Sequence, residues 1–158
     1  MEVLQKDTYL QMIQNAVDAK LFQTVYVSDG GERKDILGKG DLSCAFFVST
    51  ILHHFKLIDA PHVTVASTMR DMEKNNWHNQ SVQPPEVAQI DFSTVPVGAV
   101  LVWEEKEQKG EVHTHIGFYI GNNQAVSNNP EGDTPFMHHV TFDDTRAVAH
   151  VYTHDFLK

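Results

Sequence analysis

The chain has 158 residues, one cysteine and a formal charge of -9, from 12 basic and 21 acidic side chains. A single cysteine excludes an intramolecular disulfide, and the negative balance argues against a nucleic-acid partner, whose phosphates need basic residues. No stretch approaches the ~20 consecutive apolar residues of a membrane span, while 41% hydrophobic content suffices for one self-contained core. The first twenty residues carry Glu2, Asp7 and Asp18 and no unbroken apolar run, so no signal peptide is expected.

Helices are expected first and strands second. In residues 7–22, Tyr9, Leu10, Met12, Ile13, Ala16, Val17 and Leu21 fall three and four apart, which predicts an amphipathic helix with Asp7 as its cap. Residues 28–39, with Gly30, Gly31 and Gly38, read as a loop. Residues 41–57 are apolar on most sides, as a buried central helix would be, with Asp41 or Ser43 placed to cap it. A short helix is expected over 67–75, then an extended connector over 81–96 containing Pro84, Pro85 and Pro96. Strands follow at 100–104, 112–120, 124–127, 138–142 and 147–153, with a turn at Gly121-Asn122-Asn123. The pattern predicts one α+β domain over 1–158, without internal repeats.

Two positions invite chemistry. Cys44 lies at the expected start of the central helix, where unpaired N–H groups and the helix dipole favour a thiolate and could hold an oxyanion. A buried, inert thiol is the plain alternative. A thiolate also needs a base. His115 sits in His113-Thr114-His115-Ile116-Gly117-Phe118-Tyr119-Ile120-Gly121, where strand parity puts His113, His115 and Gly117 on one face and Thr114, Ile116, Phe118 and Ile120 in the core. Gly117 leaves room beside His115 for a close approach.

These segments resemble the NlpC/P60 cysteine peptidases. Asp41-Leu42-Ser43-Cys44-Ala45-Phe46-Phe47 is similar to that family's Asp-Cys-Ser-Gly segment, with Leu42-Ser43 inserted and the Ser-Gly absent. Pro96-Val97-Gly98-Ala99-Val100-Leu101-Val102-Trp103 resembles its Pro-Gly-Asp strand, and His115-Ile116-Gly117-Phe118-Tyr119-Ile120-Gly121-Asn122 its His-Val-Gly-Ile-Tyr-Ile-Gly-Asn motif. The related CHAP amidases share the order. The resemblance implies a papain-like fold, with the nucleophile helix packed on a five- to six-stranded antiparallel sheet. It implies Cys44 as nucleophile, His115 as base, and a third polar residue on the next strand. Asn128 is placed ahead of Ser127 for that role. Tyr26 is a loose counterpart of the family's oxyanion-site Tyr, and Asp41, Ser43 and His113 are candidates for substrate binding. The implied reaction is hydrolysis of an amide in peptidoglycan stem peptides through a thioester, without metal or organic cofactor. A peptide or peptidoglycan fragment would be the partner, not nucleic acid or membrane. An acyl transferase could use the same thioester. Without a leader, the chain would act in the cytoplasm or be released non-classically, as a phage lysin or effector. Residues 28–39 and 128–135, the latter with Pro130 and Gly132, would flank the cleft.

Two rivals come from other classes. His113-x-His115 with His138, His139, His150 or His154 could ligate zinc, although no acidic residue follows at cupin-type spacing. Alternatively the domain is an inert binding module that presents Glu104, Glu105, Glu107 and Glu111 around Lys106 and Lys109 to a partner.

Overall fold

The periodic apolar face at the N-terminus forms α1 (Gln5–Asn15), which ends well before residue 22. Asp18 adopts a left-handed φ of 62°, and its N–H donates to the Pro135 carbonyl at 2.9 Å, which carries the chain out of helical geometry. Leu4 occupies the cap position and Asp7 lies in the first turn, so the expected Asp7 cap is not formed. In the computed structural model the described residues are 1–81, 90–108, 110–129, 131 and 133–158. Pro84, Pro85, Lys109, Pro130 and Gly132 lie outside them.

The glycine-rich segment read as a loop forms a small hairpin, β1 (Tyr26–Asp29) with β2 (Glu32–Asp35). Its burial gives no alternation to read, because seven of its eight strand residues are exposed. The hairpin is closed below by Asp35, whose carboxylate accepts from the N–H groups of Val25, Leu37 and Lys39. Helix α2 (Cys44–His54) follows and α3 (Val65–Lys74) packs beside it. Thr64 caps α3 by accepting from the Ser67 N–H, so that helix starts two residues before the expected position.

The remaining strands build one sheet: β3 (His78–Ser81), β4 (Val100–Gln108), β5 (Glu111–Gly121), β6 (Gln124–Asn128), β7 (Pro135–His139) and β8 (Val148–Thr153). Their order is β3-β8-β4-β5-β6-β7, antiparallel throughout. Strand β7 ends at His139, short of the expected 142. Phe142, Asp143 and Asp144 all take positive φ, a left-handed turn held by Thr141 Oγ1, which accepts from the Asp144 N–H. The molecule is therefore α+β, with three α-helices, a six-stranded antiparallel sheet and a separate two-stranded hairpin among the described residues.

The two faces of β5 do different work. Ile116 and Phe118 are fully buried, and the Phe118 ring meets Phe47 of α2 edge-on at 5.5 Å and Tyr9 of α1 at 5.9 Å. Burying such a side chain contributes roughly 2 kcal/mol, so this contact fixes α2 against the strand. The opposite face holds Trp103, which pairs with His115 across β4 and β5 and donates its indole N–H to the Val140 carbonyl at 2.6 Å. The expected parity thus holds from His115 to Phe118, whereas Thr114, expected to face the core, is only half-buried.

Candidate active site

Cys44 is the first residue of α2, half-buried, and it opens on a cleft of about 660 Å³ that His115 also lines. Residue 40 fixes the approach to the helix. The Gly40 carbonyl accepts from Ser43 Oγ at 2.8 Å and from Asn128 Nδ2 at 2.7 Å. Gly40 has a φ of 113°, and a Cβ there would collide with the Asp133 carbonyl. The loop before α2 is thereby tied to β6 and the segment after it.

The helix start was expected to lower the thiol pKa. Instead it is raised: burial outweighs the favourable N–H groups of Ile116 and Ala45 and the nearby Arg146 charge. Burial, with Arg146 and His138 nearby, likewise pushes His115 down to about 3. At rest the pair is therefore a neutral thiol and a neutral imidazole.

The hydrogen-bond chain behind His115 has a fixed direction. His138 Nδ1 lies 2.8 Å from the His139 carbonyl, which can only accept, so Nδ1 carries the proton and Nε2 is an acceptor. Ser127 Oγ–H then donates to His138 Nε2 at 2.7 Å. The same Oγ accepts from His115 Nε2–H at 2.8 Å. The outcome is a single tautomer of His115, with Nδ1 left as the basic nitrogen. Burial lowers His138 to about 4, so this link also stays neutral. Aromatic rings hold the relay: Phe142 stacks on His138 at 3.8 Å and Phe136 at 4.7 Å, while Trp103 lies 5.4 Å from His115. Gly117 does leave the expected room, but Ser127 fills it, because a Cβ at residue 117 would stand 2.6 Å from Ser127 Cβ.

Of the two third-residue candidates, Ser127 contacts the imidazole and Asn128 does not. Asn128 is buried, with its amide N–H turned to Gly40 and its Oδ1 without a partner. Asp41 and His113, the other substrate-binding candidates, line the cleft. Ser43 does not: it is fully buried with its hydroxyl on the Gly40 carbonyl, so it shapes the loop instead of meeting substrate. Tyr26 also falls outside the cleft lining, half-exposed on β1 with the Arg33 guanidinium 3.5 Å above its ring. Each expected flanking segment contributes to the cleft, through Ile36 just beyond β2 and through Asn128 and Glu131.

Arg146 and the relay role of His138 were missed by sequence reasoning. Arg146 follows a polar turn and nothing in its spacing marks it. His138 needed the register: Ser127 faces Phe136 across β6 and β7, which makes His138 its diagonal neighbour on the same face. The histidines considered as zinc ligands go to separate partners. His113 pairs with Glu111 at 3.6 Å, His139 with Thr141, and His150 with Ser81 and Asn79. No group of three His, Cys, Asp or Glu side chains converges to hold an ion among the described residues. None of the helices among these residues is long and apolar enough to cross a membrane. No family model matches the chain, and no curated protein matches it either.

Proposed function

We propose that the protein is a cysteine hydrolase of papain-like, NlpC/P60 type that cleaves an amide bond, with peptidoglycan stem peptides the first substrates to test. The observation that carries this reading is the directed chain from the His139 carbonyl through His138 and Ser127, which leaves Nδ1 as the basic nitrogen of His115, a residue that lines the same cleft as Cys44.

In this mechanism the imidazole takes the thiol proton as sulfur attacks the carbonyl, because neither group is charged beforehand. N–H groups of Cys44 and Ala45 at the start of α2 stabilise the oxyanion. Collapse expels the amine, which takes the proton back from His115, and leaves a thioester. His115 is well suited to that return, since a buried imidazolium with no carboxylate partner is a strong acid. Water activated by His115 then hydrolyses the thioester and regenerates the thiol.

Replacing Cys44 by Ala should abolish hydrolysis while circular dichroism and the unfolding midpoint stay near the wild-type values. Retained turnover in Cys44→Ala ends this reading. A second reading, an inert binding module, draws on the burial that keeps both groups neutral. The two separate by alkylation at pH 7. Base-assisted attack requires iodoacetamide to modify wild-type Cys44 about tenfold faster than Cys44 in His115→Ala, whereas an inert thiol reacts at the same slow rate in both.

A further inference from the structure

Arg146 is buried, at 6% exposure, yet it lines the cleft with Cys44 and His115. Its place is set by the irregularity in β4, where pairing to β5 shifts between Trp103 and Lys106. The guanidinium spans that gap, donating from Nε to the Glu104 carbonyl at 2.9 Å and from Nη2 to the His113 carbonyl at 2.6 Å. The Glu104 carboxylate instead accepts from the Ala147 N–H at 3.0 Å, and no ion pair to Arg146 is formed among the described residues. A buried guanidinium whose hydrogen bonds run to neutral carbonyls is costly, because its desolvation is only partly offset by the nearby Glu104 carboxylate and Cys44 sulfur. It also keeps donors in hand: five N–H groups in a planar fork, of which two are engaged by the bonds given.

The charges of the cleft are layered. Asp41 and Glu131 are exposed, while Arg146 is buried and lies on the side of the thiol. Carboxylates in water are weak barriers to an incoming anion, whereas a cation in a poorly hydrated recess acts strongly on any anion that reaches it. We propose that Arg146 is a specificity residue that binds a free carboxylate lying next to the scissile amide of the substrate. This rests on the hydrolase reading for the word substrate, but the anion site itself does not need turnover to be seen.

Two alkylating reagents of nearly equal size test it. Iodoacetate carries a carboxylate beside the reacting carbon and iodoacetamide a neutral amide, and each loses iodide to the Cys44 thiolate. Their rate ratio cancels any change in the thiol pKa. In wild type the iodoacetate-to-iodoacetamide ratio should exceed that of free glutathione roughly tenfold or more, as a charge-assisted contact would give. It should fall to the glutathione value in Arg146→Gln and to an intermediate value in Arg146→Lys, which keeps the charge but not the fork. If Arg146→Gln fails to fold for want of its two carbonyl contacts, the wild-type chain gives the answer alone: acetate should slow iodoacetamide modification of Cys44, and acetamide should not. Equal ratios in wild type and glutathione, or no protection by acetate, would overturn the proposal and leave Arg146 as a brace of the strand irregularity. A thiol that neither reagent reaches overturns it too, since the guanidinium would then share no open cleft with it. A chain with the reagent preference but no hydrolase activity keeps the anion site and loses the hydrolase; peptide hydrolysis without the preference does the reverse.

Discussion

Two histidines of this protein are held from behind by hydrogen bonds, and their partners differ in charge. His62 Nε2 lies 2.7 Å from Asp71 Oδ2, a carboxylate that also accepts from the N–H groups of Asp59 and Ala60 and from Asn75 Nδ2. His115 meets a hydroxyl and then a second neutral imidazole. Burial raises the Asp71 pKa, but His62 and the two backbone N–H groups outweigh it, and the net shift is downward. The first centre therefore fixes a negative charge where the chain leaves α2 for α3 and holds that connection in place. The second fixes a tautomer without fixing a charge. Hydroxyl backing leaves the ring neutral, as the proposed mechanism requires of a group that takes a proton in one step and returns it in the next.

Breaking each centre should have opposite consequences. The largest expected effect is on turnover. Ser127→Ala removes the middle of the relay and frees His115 to change tautomer, so hydrolysis should fall roughly 10- to 100-fold. The two ring nitrogens left unpaired should lower stability by about 1–3 kcal/mol. Turnover within twofold of wild type would show that Ser127 fills space without directing His115. Asp71→Ala comes next and acts on stability. It strands four donors around a buried position and should cost about 3 kcal/mol or more, a drop in unfolding midpoint of roughly 6–12 °C. Activity below that transition should be unaltered. A loss of activity at full folding would mean that the His62 centre is coupled to the cleft.

How much of this was readable in the residues follows the same division. The α2 helix and the His115 strand were legible because their apolar runs are long and their central residues are buried on nearly every side. The β1 and β2 hairpin was not, since it is exposed on both faces and offers no alternation. Strand β7 was placed three residues late because Val140 and Phe142 look like strand residues, whereas Phe142 turns left-handed to stack on His138. Cys44 and His115 stood out by setting. Choosing between Ser127 and Asn128 required knowing that Gly117 lies opposite Ser127, and residue order alone does not contain that register. The thiol pKa was misjudged for a related reason: the helix start is local and visible in sequence, but the burial that overrides it comes from residues distant along the chain.

Acid separates the two centres most finely, with the smallest expected effect. His115 and His138 have folded pKa values depressed to about 3 and about 4, against about 6.5 in the unfolded chain. A depressed folded pKa means the unfolded chain binds more protons in that window, so stability is full above pH 6.5 and falls as pH drops toward 4. Asp71, also depressed, keeps its contribution down to its unfolded value near pH 4 and loses it only below that. Urea midpoints at pH 7, 6, 5 and 4 should therefore decline first through the relay. In His115→Gln the slope between pH 6 and 4 should flatten by about one proton, or about 1.4 kcal/mol per pH unit. Asp71→Asn should leave that slope as it is and flatten the curve only below about pH 4. A His115→Gln profile parallel to wild type would mean that His115 protonates in the folded protein near pH 6. The imidazole would then have a charged partner or open water beside it, and the neutral relay behind it would be ruled out.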